Sequence, residues 1–174
     1  MIYRSATLAD APALAKLGAD SFVAAFGDLY TPQDLAAFLA EVHSPEAVAE
    51  EIAGRECTHC LVEDANGKGG SLVAFCKLRY PTKFGQYTEA ANPIELGQLY
   101  ALPGYTGHGI GAKLMDWALG EARSGGHDAI LLSVYAENFG AQRFYQRYGF
   151  AKIADITFKV GDQLDPEYLY ELKL

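Results

Sequence analysis

The chain has 174 residues, half of them hydrophobic, and its 14 Lys+Arg against 22 Asp+Glu leave a formal charge of −8. That length fits one domain, residues 1–174, with enough apolar side chains for a full core and an aromatic content that sets it apart from disordered segments. The acidic balance argues against a general nucleic-acid binder, because phosphate neutralisation needs clustered Lys and Arg, and it leaves cationic small molecules open as partners.

Met1-Ile2-Tyr3-Arg4-Ser5-Ala6 opens on a strand near residues 2 to 5, with no basic stretch and apolar run of the kind that marks a secretory signal. No apolar run reaches the ~18 residues of a membrane span. Three helices are predicted next. Thr7 with Asp10 resembles a capping box, and the helix after it carries Leu14, Leu17, Ser21 and Phe22 on one face. Thr31-Pro32 and Ser44-Pro45 each set a capping hydroxyl before a proline at the first helical position, and Gly54 ends the third helix. The aromatic turn Phe26-Gly27-Asp28-Leu29-Tyr30 suits a mobile rim over a site as well as plain core packing.

From residue 57 the period changes to two. Cys60-Leu61-Val62-Glu63, a turn from Asn66-Gly67 through Gly70, and Leu72 to Leu78 read as a hairpin. Cys57-Thr58-His59-Cys60 has a spacing that can hold zinc or a redox pair, but no further ligand pair follows and the segment reads as a strand, so no metal site is expected. Three cysteines, Cys57, Cys60 and Cys76, cannot all pair within one chain and suit a reducing compartment, which makes the cytoplasm the expected location. Pro81 to Pro93, with Lys83, Gln86, Tyr87 and Glu89, reads as a loop and 94–102 as a strand. A helix over Ala112 to Arg123 ends at Gly125-Gly126. Ile130 to Val134 reads as a strand buried on both faces, Asn138 to Tyr148 as a helix stopped by Gly149, and 151–160 and 168–174 as strands. The order predicts a mixed sheet covered by helices.

The segment Leu99 to Leu114 joins a strand to a helix through Gly107, Gly109 and Gly111. Glycines there let the backbone turn tightly and present N–H groups, and the helix start adds positive dipole, which together make an anion cradle sized for phosphates. Gly107, Gly109 and Ala112 also satisfy a dinucleotide-binding pattern. That reading needs an acidic residue after the next strand, which ends in Ser133-Val134-Tyr135, while Asp128 stands before it.

Thr106-Gly107-His108-Gly109-Ile110-Gly111 resembles the (Q/R)xxGxG/A signature of the GNAT superfamily of N-acetyltransferases, with Thr106 where the family usually has Gln or Arg. Asn138 to Phe150 is similar to its second motif, N-x-x-A-x-x-F-Y-x-x-x-G-F. The resemblance implies an α/β (α+β) fold with a mixed, mostly antiparallel six- to seven-stranded sheet, helices on both faces and two splayed central parallel strands. It implies acetyl-CoA as cofactor, its pyrophosphate on the backbone of residues 106 to 111 (Thr106, Gly107, His108, Gly109, Ile110, Gly111) and its pantetheine paired to Leu99, Tyr100 and Ala101. By the same resemblance Asn138 fixes the pantetheine arm and Tyr145 protonates the departing thiolate. Asn138 could instead merely cap its helix, and Tyr145 could be a packing aromatic. An amine must lose a proton before it attacks; Glu95 is the candidate base, read as sharing strand parity with Gly97, Leu99 and Ala101, with a solvated strand-edge carboxylate as the alternative.

The run Phe22 to Leu39, Glu95-Leu96, and the tail Phe158 to Gln163 look similar to bacterial spermidine/spermine N-acetyltransferases, which implies a small-molecule amine acceptor such as a polyamine, with Asp28, Asp34, Glu41 and Glu89 available for it. The superfamily also hints at a homodimer. Family members that acetylate protein N-termini often carry Glu where this chain has Ser133. A protein or peptide N-acetyltransferase and a catalytically silent acyl-CoA-binding domain stand as alternatives.

Overall fold

The computed structural model describes residues 1–65 and 70–174. Seven strands form one sheet in the order β1-β2-β3-β4-β5-β7-β6, from β1 (Ile2–Ser5), β2 (Cys57–Asp64), β3 (Ser71–Arg79), β4 (Pro93–Ala101), β5 (Ala129–Tyr135), β6 (Ala151–Val160) and β7 (Gln163–Lys173). β4 and β5 run parallel and every other neighbouring pair is antiparallel. Helices α1 (Ala11–Phe26), α2 (Pro32–Val42) and α3 (Pro45–Ala53) cover one face; α4 (Ile110–Ser124) and α5 (Phe139–Arg147) pack on the other. The mixed α/β sheet expected from the sequence is the sheet observed. No helix among the described residues is long and apolar enough to cross a membrane.

The start signals hold. The Asp10 carboxylate accepts from the Thr7 N–H at 2.7 Å and the Thr7 hydroxyl at 2.8 Å, closing a 3-10 turn ahead of α1. Thr31 and Ser44 cap α2 and α3 by accepting from the N–H groups of Asp34 and Ala47, and a proline follows each. α1 runs on to Phe26, the first residue of the predicted aromatic turn, where Phe26 packs against Phe22 one turn earlier. It buries Leu14, Leu17, Ser21 and Phe22 as expected. The predicted turn at Asn66-Gly67 lies outside the described residues.

Two cores sandwich the sheet. On the α4 side, Leu78, Leu96, Ile130 and Leu132 meet Leu114 and Met115, all shielded from solvent; each such side chain contributes ~1.5–3 kcal/mol relative to exposure. On the α1 side, Leu61 and Phe75 meet Leu14, Leu17 and Val48. The Pro81–Pro93 loop is tied down: Phe84 is buried against Leu131 and Leu169, Thr88 donates to Glu171, and Asp128 accepts from the N–H groups of Ala91 and Asn92 at 2.7 and 2.9 Å.

Two features differ from the sequence reading. β7 begins at Gln163, five residues before the predicted strand, and Gln163 to Glu167 pair with β6 through a two-residue turn at Gly161-Asp162. In β4, Lys77 stands opposite Gln98 but Leu78 stands opposite Leu96, so Gly97 is an extra residue, a β-bulge. The bulge breaks the period of two. Ile94 and Leu96 before it, and Leu99 and Ala101 after it, all face the α4-side core. Glu95 therefore shares its face with Gln98 and Tyr100, not with Leu99 and Ala101 as strand parity suggested.

Candidate functional site

β4 and β5 pair over Pro93–Glu95 and Ala129–Leu131, and no pairing beyond those residues is found among the described residues, although β4 runs on to Ala101 and β5 to Tyr135. The parallel strands thus part midway through the sheet, as the resemblance implied. A cleft of about 1030 Å³ runs through this gap, lined by Gly97 to Ala101 of β4, Ser133 to Tyr135 of β5, Thr106, Asn138 and Tyr145, and on the α1 side by Phe22, Phe26 and Tyr30.

On the α4 side, Gly107 and Gly109 hold left-handed backbone at φ +80° and +78°, and no atom stands within 4 Å of where a Cβ would sit on either. The first N–H of α4 with a carbonyl partner is that of Lys113, bonded to Gly109 at 3.1 Å, so the N–H groups of Ile110, Gly111 and Ala112 open the helix toward the same space. That combination of donors, dipole and room fits a pyrophosphate. The third glycine differs: a Cβ on Gly111 would stand 3.7 Å from the Phe144 ring, an ordinary contact between α4 and α5 that leaves room for a small side chain. The Ile110 side chain is buried in the core, which leaves its backbone as the group able to touch a ligand; Gly107, His108 and Gly109 are exposed.

Asn138 lines the cleft and caps α5, its Oδ1 accepting from the Ala141 N–H at 3.1 Å. Tyr145 both packs among aromatic rings and lines the cleft. Its ring packs edge-on against Phe144 and Phe150, and its hydroxyl has no hydrogen-bond partner among the described residues. Burial keeps that phenol protonated well past its ordinary range, helped by Cys76 and Tyr100 nearby. The Tyr100 hydroxyl is raised by burial and by the charge of Glu167.

The α1-side wall carries the charge. Glu95, 4% exposed, accepts from the Thr82 hydroxyl at 3.3 Å and the Lys83 N–H at 3.2 Å, with the Lys83 ammonium 3.8 Å away. Glu167 of β7 lines the cleft with one carboxylate oxygen shut off from solvent and without a partner among the described residues. Burial raises its carboxyl, a hydrogen bond from Ser133 and the Lys83 charge oppose the rise, and Asp165 adds to it, so it is the Oε2 atom alone that lacks a partner. Farther along, Lys77 donates to both oxygens of Glu51 at 2.8 and 3.0 Å, with Arg79 at 3.3 Å and His59 at 3.5 Å. Burial alone would raise the Glu51 carboxyl, but the hydrogen bond from His59 and the Lys77 charge hold it down at about 2. Glu41 also lines the cleft, whereas Asp28, Asp34 and Glu89 lie outside its lining.

The wall is fastened across the chain. The Tyr30 hydroxyl donates to Asp165, the Asp34 carboxylate accepts from the Asp162 N–H at 2.8 Å, and Phe38 packs edge-on against Phe158. Gly161, at φ +58°, lies so close to Asp34 that a Cβ would stand 2.5 Å from the Asp34 Cα.

The sequence reading brought together Leu99, Tyr100, Ala101, Thr106, Asn138, Tyr145 and Glu95, all of which border the cleft. It missed Asp165 and Glu167. Their spacing of two, continued by Leu169, is a strand signal, but Pro166 between them masks it. Cys57 and His59 belong to the Glu51 neighbourhood, while Cys60 lies in the core, and no group of three or more metal-binding side chains occurs among the described residues.

A model of the Acetyltransferase (GNAT) family matches residues 23–150. An uncharacterised N-acetyltransferase of Lactobacillus delbrueckii subsp. lactis is 22% identical over 165 residues, 95% of this chain and 92% of that protein. An uncharacterised N-acetyltransferase of Mycobacterium tuberculosis is 40% identical over 76 residues, 44% of this chain and 49% of that protein, so the match spans about half the relative. Among solved structures, the PaiA N-acetyltransferase of Thermoplasma acidophilum in complex with coenzyme A gives a TM-score of 0.78 at 20% identity over 100% of both chains. Arabidopsis thaliana NAA60 in complex with acetyl-CoA gives 0.73 at 14% identity, over 99% of this chain and 98% of that one. At such identities it is the fold that is shared. The family match runs from the end of α1 through α5 and takes in β4, β5, the glycine turn and Tyr145 at the cleft, and on that ground the chain belongs to the acetyltransferase (GNAT) family, N-acetyltransferases whose acetyl donor is acetyl-CoA.

Proposed function

We propose that this protein acetylates the primary amine of a small cationic acceptor, a polyamine being the favoured class, by direct attack while donor and acceptor are bound together. The observation that carries the reading is the cleft through the β4–β5 gap, with the partnerless Tyr145 hydroxyl lining it and the carboxylates of Glu95, Asp165 and Glu167 on its α1-side wall. Bound acetyl-CoA supplies an activated thioester carbon and a sulfur leaving group. The chain's own contributions follow from placement. The backbone of residues 106 to 111 would hold the pyrophosphate, and Leu99, Tyr100 and Ala101, on the stretch of β4 beyond its pairing with β5, have backbone groups to offer an extended pantetheine arm. Asn138 stands beside that arm. Tyr145, kept protonated by burial, has a proton to give a departing thiolate. Glu95 and Glu167 are the two carboxylates placed to receive the amine's proton. The pinned Pro81–Pro93 loop and the Tyr30–Asp165 clasp narrow the acceptor side, which supports a small acceptor. Three free cysteines, two of them buried, support a reducing, cytoplasmic setting.

The test is release of CoA thiol from acetyl-CoA against spermidine, spermine, small monoamines, amino acids and an N-terminal peptide, with a no-acceptor control. Release with polyamines well above the other amines supports the reading; release with the peptide alone overturns its acceptor class. Tyr145→Phe should lower kcat about 100-fold while CoA binding, read calorimetrically, stays within about twofold. An unchanged kcat would remove Tyr145 from the proton-donor role.

A further inference from the structure

The two candidate carboxylates are not equivalent. Both hydrogen bonds to Glu95 fall on its Oε2, from the Thr82 hydroxyl and the Lys83 N–H, and the Lys83 ammonium stands 3.8 Å from its Oε1. Thr82 also accepts the Phe84 N–H at 3.1 Å, so this cluster shapes the loop that carries Phe84 onto Leu131 and Leu169. Glu95 also sits where β4 and β5 are still paired, opposite Leu131 and short of the gap.

Glu167 sits beyond that point. It stands opposite Tyr135 on β5 and Ile156 on β6, beside the part of β5 that has left β4. Its Oε2 is buried, unbonded among the described residues, and belongs to a residue of the cleft wall. A buried carboxylate oxygen without a donor is costly, and a ligand that brings N–H groups removes the cost. The groups facing it are Asp165 on its own strand, Tyr30 from the α1–α2 corner, Tyr100 from β4, Ser133 from β5 and Lys83 from the β3–β4 loop. Tyr100 is in turn close enough to Tyr145 to raise its phenol, so Glu167 and the proposed proton donor both lie near one tyrosine.

Resting on the amine-acetylation reading, we propose that Glu167, rather than Glu95, takes the proton from the acceptor's ammonium group: an N–H bond of R–NH3⁺ breaks, an O–H bond forms at Glu167 Oε2, and the electron pair stays on nitrogen as the attacking lone pair. The proton then leaves to water at the cleft mouth. Burial, which raises the Glu167 carboxyl, makes it a better proton acceptor than an ordinary solvated carboxylate. Glu95 is a positioning residue that holds the Thr82–Phe84 loop.

The experiment is the pH profile of kcat/KM for the most active amine, on wild type, Glu167→Gln and Glu95→Gln, with thermal unfolding in the presence and absence of CoA to show that each variant folds and binds. Wild type should rise to a plateau below the amine's own pKa, because the enzyme accepts the ammonium form. Glu167→Gln should lose that plateau and climb with unit slope toward the amine's pKa, falling about 100-fold at neutral pH and much less in alkali. Glu95→Gln should lose rate but keep the wild-type shape. A uniform loss across pH in Glu167→Gln, or the unit-slope profile appearing in Glu95→Gln instead, overturns the assignment. Should Glu167→Gln not fold, Glu167→Asp serves: it retains a carboxylate set back by one methylene and should keep the plateau at a rate at least about tenfold lower, whereas a wild-type rate overturns the proposal. Absence of thiol release from wild type with every amine would instead overturn the underlying function.

Discussion

His43 ends α2 with its ring 7% exposed, packed against Phe22 and Phe38 and lying directly over Gly18, and its Nε2 has no hydrogen-bond partner among the described residues. Burial, with the Lys77 charge adding to it and Glu51 opposing, depresses its pKa from 6.5 to about 4. A depressed folded-state pKa means the unfolded chain binds the proton more readily, so the neutral ring's contribution is complete above the unfolded value and is lost as pH falls from about 6.5 toward about 4. The linkage relation with those two values gives a loss of about 2 kcal/mol between about pH 7.5 and about pH 5. Urea unfolding of wild type and His43→Gln at several pH values in that window measures it, and the comparison is of the slopes, since the substitution also changes packing. The Glu51 and Asp10 carboxyls are held low and contribute mainly at more acidic pH. Equal pH dependence in both proteins, or a His43 proton titrating near 6.5 by NMR, would refute the reasoning.

Two glycines give separable outcomes. Gly109→Ala puts a methyl into open space at φ +78°, so the fold should survive with a cost of ~1–2 kcal/mol for left-handed backbone, while CoA affinity measured calorimetrically should fall at least about tenfold. Gly161→Ala meets Asp34 backbone at 2.5 Å as well as a left-handed φ; a loss of roughly 2 kcal/mol, seen as a melting temperature lower by about 4–8 °C, is expected with CoA binding intact.

Element type was legible where local chemistry and burial agree. Thr31-Pro32, Ser44-Pro45 and the run Ile130 to Val134 each announce their state, and Thr106, Asn138 and Tyr145 of the two motifs border the cleft. Legibility stopped where one residue changes the phase or hides the pattern. The bulge at Gly97 shifts the core positions from Ile94 and Leu96 to Leu99 and Ala101, a change of phase that the aromatic Tyr100 between the last two obscures, and it moves Glu95 to the opposite face from Leu99. Pro166 disguised a strand whose pairing continues through it: it stands opposite Thr157 of β6, and its carbonyl accepts the Ala136 N–H at 3.0 Å. The acceptor wall draws on residues more than a hundred positions apart, Asp34 with Asp162 and Tyr30 with Asp165, and such pairings have no signature in any local window.

That long-range fastening divides the molecule's mechanics. The glycine turn, the proposed seat of the cofactor, is followed by Ile110 and Leu114, which anchor it in the core against the sheet. The acceptor's wall is closed by two polar contacts and a few aromatic edges between segments that share no strand pairing. Local opening should therefore begin there, as a unit of low stability on a rigid frame. On the proposed placement of the two substrates, an acceptor would be admitted and its product let go while the nucleotide stays docked, and changes in the clasp alone would alter which amine is accepted.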